Sequence, residues 1–329
     1  KENNLNTKNY IIKPMEHNPN IKAFTHDDDQ IDFKELFQVL WKGKWVLITV
    51  TSFFSIAAII YSLSLPNIYQ SRALLSPVEG QSGMNQAMKS YGGLANLAGI
   101  DLKGQSGDGN TVKAIQKLST LSFFEDNILP NIFLPNLMAI ESWNSGSNDI
   151  VYNKDIYNKV TNTWIREANY PQTQIPSAQE AFAVFADENM LISTDVETGF
   201  ITLTIKHQSP FVAKAWAELI VKQINDFFRI KDKKEAQAAL TFLNAQIAQT
   251  SFSEIKQVIA QLLQQKTQQL TLIEASDYYV FEYIDPPAAM ERKSEPRRSL
   301  ICILGALLGG IFGILIVLIS HFGLNKKPL

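Results

Sequence analysis

The side chains with chemical potential in this chain are few and scattered. Four histidines, His17, His26, His207 and His321, lie far apart, and no HExxH, CxxC or nucleophile elbow accompanies them. His26 precedes the acidic run Asp27, Asp28, Asp29, which has the ligand types for a divalent cation. Adjacent side chains cannot converge on one ion without a second segment, so the run reads as a solvated flank. Gly104 to Gly109 is glycine-rich but lacks the Gly-Lys-Ser/Thr ending of a phosphate loop. Asp187 and Glu188 are neighbouring carboxylates of the kind used for acid–base work, and they read as ordinary solvated charges. The residues point to no bond chemistry, no metal and no cofactor.

The informative features are apolar. Val46 to Leu65 and Leu300 to Ile319 are uncharged, and about 20 helical residues cover a bilayer core of ~30 Å. Both are predicted to be transmembrane helices. Thr49, Thr51, Ser52, Ser55, Ser62 and Ser64 dilute the first, but a hydroxyl can bond a carbonyl of its own helix. The second is apolar on every face, so a soluble core helix is a poor alternative. The polar segment before Val46 argues against a cleaved signal peptide.

Lys42 and Lys44 precede the first span and Lys326 and Lys327 follow the second. Weighted over short flanks, they put both termini in the cytoplasm and Pro66 to Ser299 outside. Arg297 and Arg298 oppose that vote from the edge of a long translocated segment, where the rule is weak. The segment from Pro66 to Ser299 carries 21 basic and 25 acidic residues. Nucleic acid is therefore excluded as a partner, since phosphate neutralisation needs clustered Lys and Arg. Cys302, the single cysteine, falls inside the second span, so no disulfide can form within one chain.

The predicted organisation is a polar tail over 1–30, an interfacial amphipathic helix over 31–45, a first span over 46–65, an α/β body over 66–299, a second span over 300–322 and a short tail over 323–329. In the interfacial helix Phe33, Leu36, Phe37 and Leu40 share a face, Asp32 is the candidate N-cap, and Trp41, Lys42, Lys44 and Trp45 anchor the chain at headgroup depth. The body opens with a strand over YQSRALLSPV. Glu79 to Asn110 reads as a long loop with room for one short helix, Thr111 to Leu129 as a helix ended by Pro130, and Lys154 to Glu167 as a further helix. NMLISTDVETGFITLTIKH alternates on either side of Glu197 to Gly199 and predicts a β-hairpin.

Ser209-Pro210 then opens a long helix to near Thr250. Its stripe Ala213, Ala217, Ile220, Ile224 and Phe227 reads as a seam against a neighbouring subunit, because a helix about 60 Å long exceeds the width of a compact domain of this size; the alternative is a helix kinked near Lys231 to Glu235 and folded back on its own domain. Ser251-x-x-Glu254 reads as a capping box for a second helix over 252–276. Tyr278 to Ile284 reads as a returning strand. In the second span Gly305, Gly309 and Gly313 recur every four residues. That spacing lets helix backbones approach closely in lipid, and it predicts contact with the first span or with another membrane protein.

The order of IDFKELFQVLWKGKW before the first span, STDVETGFITLTIKHQSP before the long helix, and IDPPAAMERKSEPRRS before the glycine-patterned span resembles the Wzz-type chain-length determinant, or polysaccharide co-polymerase, family. Pro286, Pro287, Pro296, Arg297 and Arg298 belong to the last of these segments. Pro287 and Pro296 fit the family's triplet spacing of prolines; Met290 and Lys293 depart from it. With only Phe322 to Leu329 beyond the span, the resemblance is to members without a cytoplasmic kinase.

The resemblance implies an α+β periplasmic domain with long protruding helices, anchored by two transmembrane helices and assembled as a bell-shaped ring in the bacterial inner membrane. It implies regulation of the modal length of a surface polysaccharide, typically O antigen. The implied partners are other copies of the chain, membrane lipid, a membrane-embedded polymerase and the growing glycan. A two-span receptor with an extracytoplasmic sensor is the alternative; it calls for an output module after the second span. An export-pump adaptor would instead use one span and a β-rich lipoyl-like unit.

Overall fold

The computed structural model describes residues 33–78 and 107–323. His17, His26, the Asp27 to Asp29 run, the proposed Asp32 cap, the glycine-rich segment before Gly107 and Lys326 and Lys327 lie outside the described residues. The chain divides into two units, 1–55 with 306–329, and 56–305.

The first unit is built from helices. α1 (Phe33–Lys42) and α2 (Lys44–Ser64) meet at Gly43. Val39 is the buried apolar residue of α1, whereas Phe37 and Trp41 are exposed. α2 is long and apolar enough to cross a membrane, as is the helix that begins at Arg298. Three of the α2 hydroxyls that dilute its hydropathy are absorbed internally, Thr49 Oγ1 donating to Trp45 O at 2.7 Å, Ser55 Oγ to Thr51 O at 2.8 Å and Ser64 Oγ to Tyr61 O at 2.8 Å, whereas Thr51 Oγ1 and Ser62 Oγ are buried without a hydrogen-bond partner.

The second unit is a four-stranded antiparallel sheet with helices against one face. β1 (Tyr69–Pro77) pairs with β7 (Ile201–His207) and β8 (Phe281–Asp285), and β6 (Met190–Thr194) borders β7, giving the order β6-β7-β1-β8. Ser71 opposes Ile205, Ala73 opposes Leu203 and Leu75 opposes Ile201. Facing residues of an antiparallel pair share a face, so this register lines the covered side with six buried side chains. The β6–β7 turn forms as its sequence predicts. Asp195 Oδ1 accepts the N–H groups of Glu197 and Thr198, and Gly199 takes φ +71°, where glycine carries no Cβ penalty.

Between β1 and β6 the predicted pattern is revised. The helix expected over Thr111 to Leu129 is broken: α3 (Gly107–Leu118) ends, Thr120 Oγ1 caps Phe123 N at 3.3 Å, and the short α4 (Leu121–Phe123) runs on through a π turn and a 3₁₀ turn to Asn131. A continuous helix would aim Phe123 and Phe124 along one axis; the break lets both rings enter the core. After α5 (Leu134–Met138), no helix occupies Lys154 to Glu167. Two small hairpins stand there and just before, β2 (Ile140–Asn144) with β3 (Asp149–Tyr152) and β4 (Tyr157–Asn158) with β5 (Thr163–Trp164). Tyr157 sets its ring against Phe133, Tyr152 and Trp164. Asn148 and Asn162 supply the positive-φ corners. α6 (Ala178–Val184) completes the cover, capped by Ser177.

α7 (Pro210–Gln249) and α8 (Ser253–Ala275) follow in succession and pack on each other. From Pro210 to Phe228, α7 lies in the core; beyond it only Ala236 is buried. The capping box proposed at Ser251 and Glu254 does not form. Phe252 is the N-cap residue, without a side-chain bond, and Glu254 sits in the first helical turn. α9 (Arg298–Leu318) closes the chain with a π turn to Gly323.

Candidate functional site

The seam residues of α7 sit elsewhere than the periodicity alone suggested. Ala213, Ala217, Ile220 and Ile224 are fully buried in the chain's own core, and Phe227 packs at its edge against Phe123. The sheet and the π turn cover that stripe, so it is not a face open to a second subunit. A helical period shows that a stripe is covered without showing by what. The large apolar residues left exposed on α7 and α8 are Phe211, Ile230, Phe242, Ile255, Val258 and Leu272, with Phe252 exposed at the N-cap of α8.

Two buried polar side chains organise this core. Asn225 Oδ1 accepts from the backbone N–H of Tyr279 (3.3 Å), Val280 (2.7 Å) and Phe281 (2.9 Å), while its Nδ2 donates to Phe281 O at 3.0 Å. A single amide thus replaces a strand partner along the outer edge of β8. His207 Nδ1 accepts from Ser209 N and Nε2 donates to Asn136 O, each at 2.9 Å, which sets a neutral tautomer. Burial pushes its pKa below the ordinary histidine value. With both nitrogens occupied and Trp216 against the ring, His207 has no free position for a proton shuttle or a metal. Asp187 and Glu188 are exposed. Among the described residues no three His, Cys, Asp or Glu side chains gather around a common point. The entry to β8 is tied to α7 by Arg229, which donates to the carbonyls of Ser276 and Asp277, and by Tyr279, whose hydroxyl donates to Asp232 at 2.6 Å. Beside it Tyr283 has its phenol pushed up to about 12, chiefly by burial.

Within the first unit the two membrane-capable helices meet on a glycine seam. A Cβ added at Gly309 would lie 2.8 Å from Phe54 Cβ and 2.9 Å from Thr51 Cα. At Gly313 it would lie 3.2 Å from Leu47 Cα, and at Gly43 it would lie 2.5 Å from Val317 Cγ1. Phe54 and Phe312 stack beside this contact at 5.5 Å. Gly309, Gly313 and Val317 thus form the stripe, four residues apart, with Gly305 one turn before it on the same helix. Gly310 has open space where its Cβ would be. At the other end Trp41 and Trp45 are exposed, and Lys44 Nζ lies 5.2 Å from the Trp41 ring centre. Lys42 is exposed beside them.

Within the second unit the proline and arginine segment folds back on the residues that follow α2. Ile68 N donates to Glu295 O at 3.0 Å, and Ile68 O accepts from Ser294 N at 2.9 Å and Ser294 Oγ at 3.0 Å. Glu295 also accepts from Lys206 Nζ at 2.6 Å. Asn67 Oδ1 accepts from Lys293 Nζ at 2.9 Å and Arg298 Nη2 at 3.2 Å. Pro286 is exposed and Pro287 buried, ahead of Ala288, whose carbonyl accepts from Ser71 Oγ at 2.9 Å. Pro296 O accepts the Arg298 N–H and Arg297 O accepts those of Leu300 and Ile301, which starts α9. Arg297 itself is exposed. The exit of one membrane-capable helix and the entry of the other are clasped together here.

Residues 29–121 match the family model described as "Chain length determinant protein", Wzz. That match covers 93 of the 329 residues. Residues 252–322 match the model described as "G-rich domain on putative tyrosine kinase". The Wzz match takes in α1, α2, β1 and α3; the G-rich match takes in α8, β8, the clasp and α9. The family resemblance drawn from the sequence is met. Among solved structures the chain is similar to one described as a full-length bacterial polysaccharide co-polymerase, at 16% identity over 91% of this chain and 100% of that one, with a TM-score of 0.43. It is also similar to a fragment of WzzB, a polysaccharide co-polymerase from Salmonella Typhimurium, at 14% identity over 70% of this chain and 100% of that one, with a TM-score of 0.31. None of the curated proteins matches the sequence.

Asn67, Ile68, Lys206, Asn225 and Glu295 carry no signal in the sequence, because each acts on a partner tens or hundreds of residues away. Gly43 had one: a lone glycine between Lys42 and Lys44 at the joint of two helical patterns.

Proposed function

We propose that this membrane-anchored Wzz chain regulates the modal length of a surface polysaccharide, lipopolysaccharide O antigen, without performing bond chemistry itself. The observation that carries the reading is the order of the two family matches: a Wzz domain that includes the first membrane-capable helix, and a glycine-rich segment that includes the second. Both termini are cytoplasmic in this reading, and the α+β body lies in the periplasm of a cell with an inner membrane. A protein that acts by contact can alter polymer length by binding the growing glycan, by gathering polymerases or by biasing a polymerase state. The partners in this reading are an integral-membrane polymerase, the growing glycan and membrane lipid.

Self-association into a ring is supported by the exposed apolar side chains Ile230, Phe242, Ile255, Val258 and Leu272 on the two long helices. The test is deletion of the gene followed by electrophoresis of lipopolysaccharide. Polymer still made, but without a preferred length, is the expected result. Loss of all polymer, or an unchanged ladder, refutes the proposal. The particle mass in detergent tests the ring, which predicts several copies where a receptor predicts a dimer.

A further inference from the structure

The clasp leaves a charge imbalance. Residues 291–298 hold Arg292, Lys293, Arg297 and Arg298 against Glu291 and Glu295, and Glu295 is engaged by Lys206. None of the four cations has a carboxylate within 4.0 Å among the described residues. Two of them turn to the same neutral atom: Lys293 Nζ and Arg298 Nη2 both donate to Asn67 Oδ1. That shared acceptor keeps the two cationic nitrogens no more than about 6 Å apart, a separation at which like charges repel. Arg298 Nε is buried and has no hydrogen-bond partner. The same residue opens α9, so the positive end of a 21-residue helix adds to the field.

We propose that Lys293, Arg298 and Asn67 form a binding site for the phosphate of a membrane lipid headgroup at the mouth of the second span. An arginine with free N–H groups beside an ammonium suits phosphate oxygens, which accept charge-assisted bonds from both. The Asn67 amide orients the two cations without neutralising them. Lipid is the source because Arg298 is the first residue of a helix that is uncharged and apolar from Leu300 onward, which sets the site at headgroup depth. The proposal goes beyond length control and rests only on α9 being a membrane helix.

The full chain, purified and reconstituted in phosphatidylcholine nanodiscs doped with phosphatidic acid, tests it by native mass spectrometry of the lipid each chain retains. Wild-type protein should retain phosphatidic acid over phosphatidylcholine, and the Lys293→Gln/Arg298→Gln double variant should retain it about tenfold less or lower. Equal retention overturns the proposal. Asn67→Asp guards against a misfolded double variant, because a carboxylate there pairs both cations and strengthens the clasp. It should melt at or above the wild-type temperature and still lose the lipid, whereas wild-type retention in that variant overturns the site. Retention that survives excess inorganic phosphate supports lipid as the source; full displacement overturns that assignment.

Discussion

Gly309 offers the sharpest test of the helix seam. A methyl group there would sit 2.8 Å from Phe54 Cβ and 2.9 Å from the Thr51 backbone, where carbon atoms prefer about 3.5–4.0 Å. The Thr51 contact is main chain and cannot rotate away, so the helices must part locally by nearly ~1 Å. A gap of that size forfeits a quarter to a half of each dispersion contact along the seam, and overpacking costs ~1–3 kcal/mol. Alanine recovers at most ~1 kcal/mol in helix propensity. The net expectation for Gly309→Ala is a loss of ~1–2 kcal/mol in the association of the two spans. Gly310→Ala is the matched control, with the same propensity gain and nothing within 4 Å to meet. Spin labels at the exposed positions Ile48 and Ile316, in nanodiscs and in a Cys302→Ser background, report the spacing. The Gly309→Ala distance distribution should lengthen by ~1 Å and broaden, and that of Gly310→Ala should stay at the wild-type value. Identical distributions for the two variants would refute the seam as the contact that sets helix spacing.

Replacing Gly305, Gly309 and Gly313 together by leucine should scatter the preferred polysaccharide length, read as a flattened ladder. Asn225→Ala should cost ~3–5 kcal/mol in the denaturation of the detergent-solubilised chain, since it strands several buried backbone groups at ~1–3 kcal/mol each. Ile220→Ala, in the centre of the stripe on α7, should lower stability by ~2–5 kcal/mol through cavity formation, with no change in particle mass if the stripe serves the chain's own core. The depressed pKa of His207 gives a pH signature. Above the unfolded value of ~6.5 the ring is neutral in both states and contributes nothing. As pH falls below that, the unfolded chain takes up a proton that the folded chain resists, so stability declines until the folded pKa is reached. His207→Gln should flatten that decline in a pH series of thermal melts.

The sequence by itself determined the features that depend on local composition. Lipid demands an uncharged run of a given length, and two such runs are visible without any fold. The hairpin of β6 and β7 follows from alternation broken at Gly199, whose φ few other residues tolerate. Ser209-Pro210 marks the start of α7 by steric preference alone.

Tertiary structure decided what covers each buried surface. The Ala213 to Ile224 stripe is periodic whether it meets a neighbour or its own sheet, and only the β1–β7 register showed that the sheet takes it. Residues 154–167 read as a helix from the sequence, yet the packing of Tyr157 on Phe133, Tyr152 and Trp164 goes with the short β4–β5 hairpin there. The Ser251 capping pattern failed because Phe252, not Ser251, took the N-cap position. Gly309 and Gly313 were legible as close-contact residues, but that they face Thr51 and Leu47 was not. Asn67, Asn225 and Glu295 are ordinary polar residues until the chain folds back on itself. Their roles come from hydrogen bonds to groups far off in sequence, a relation that no local pattern encodes.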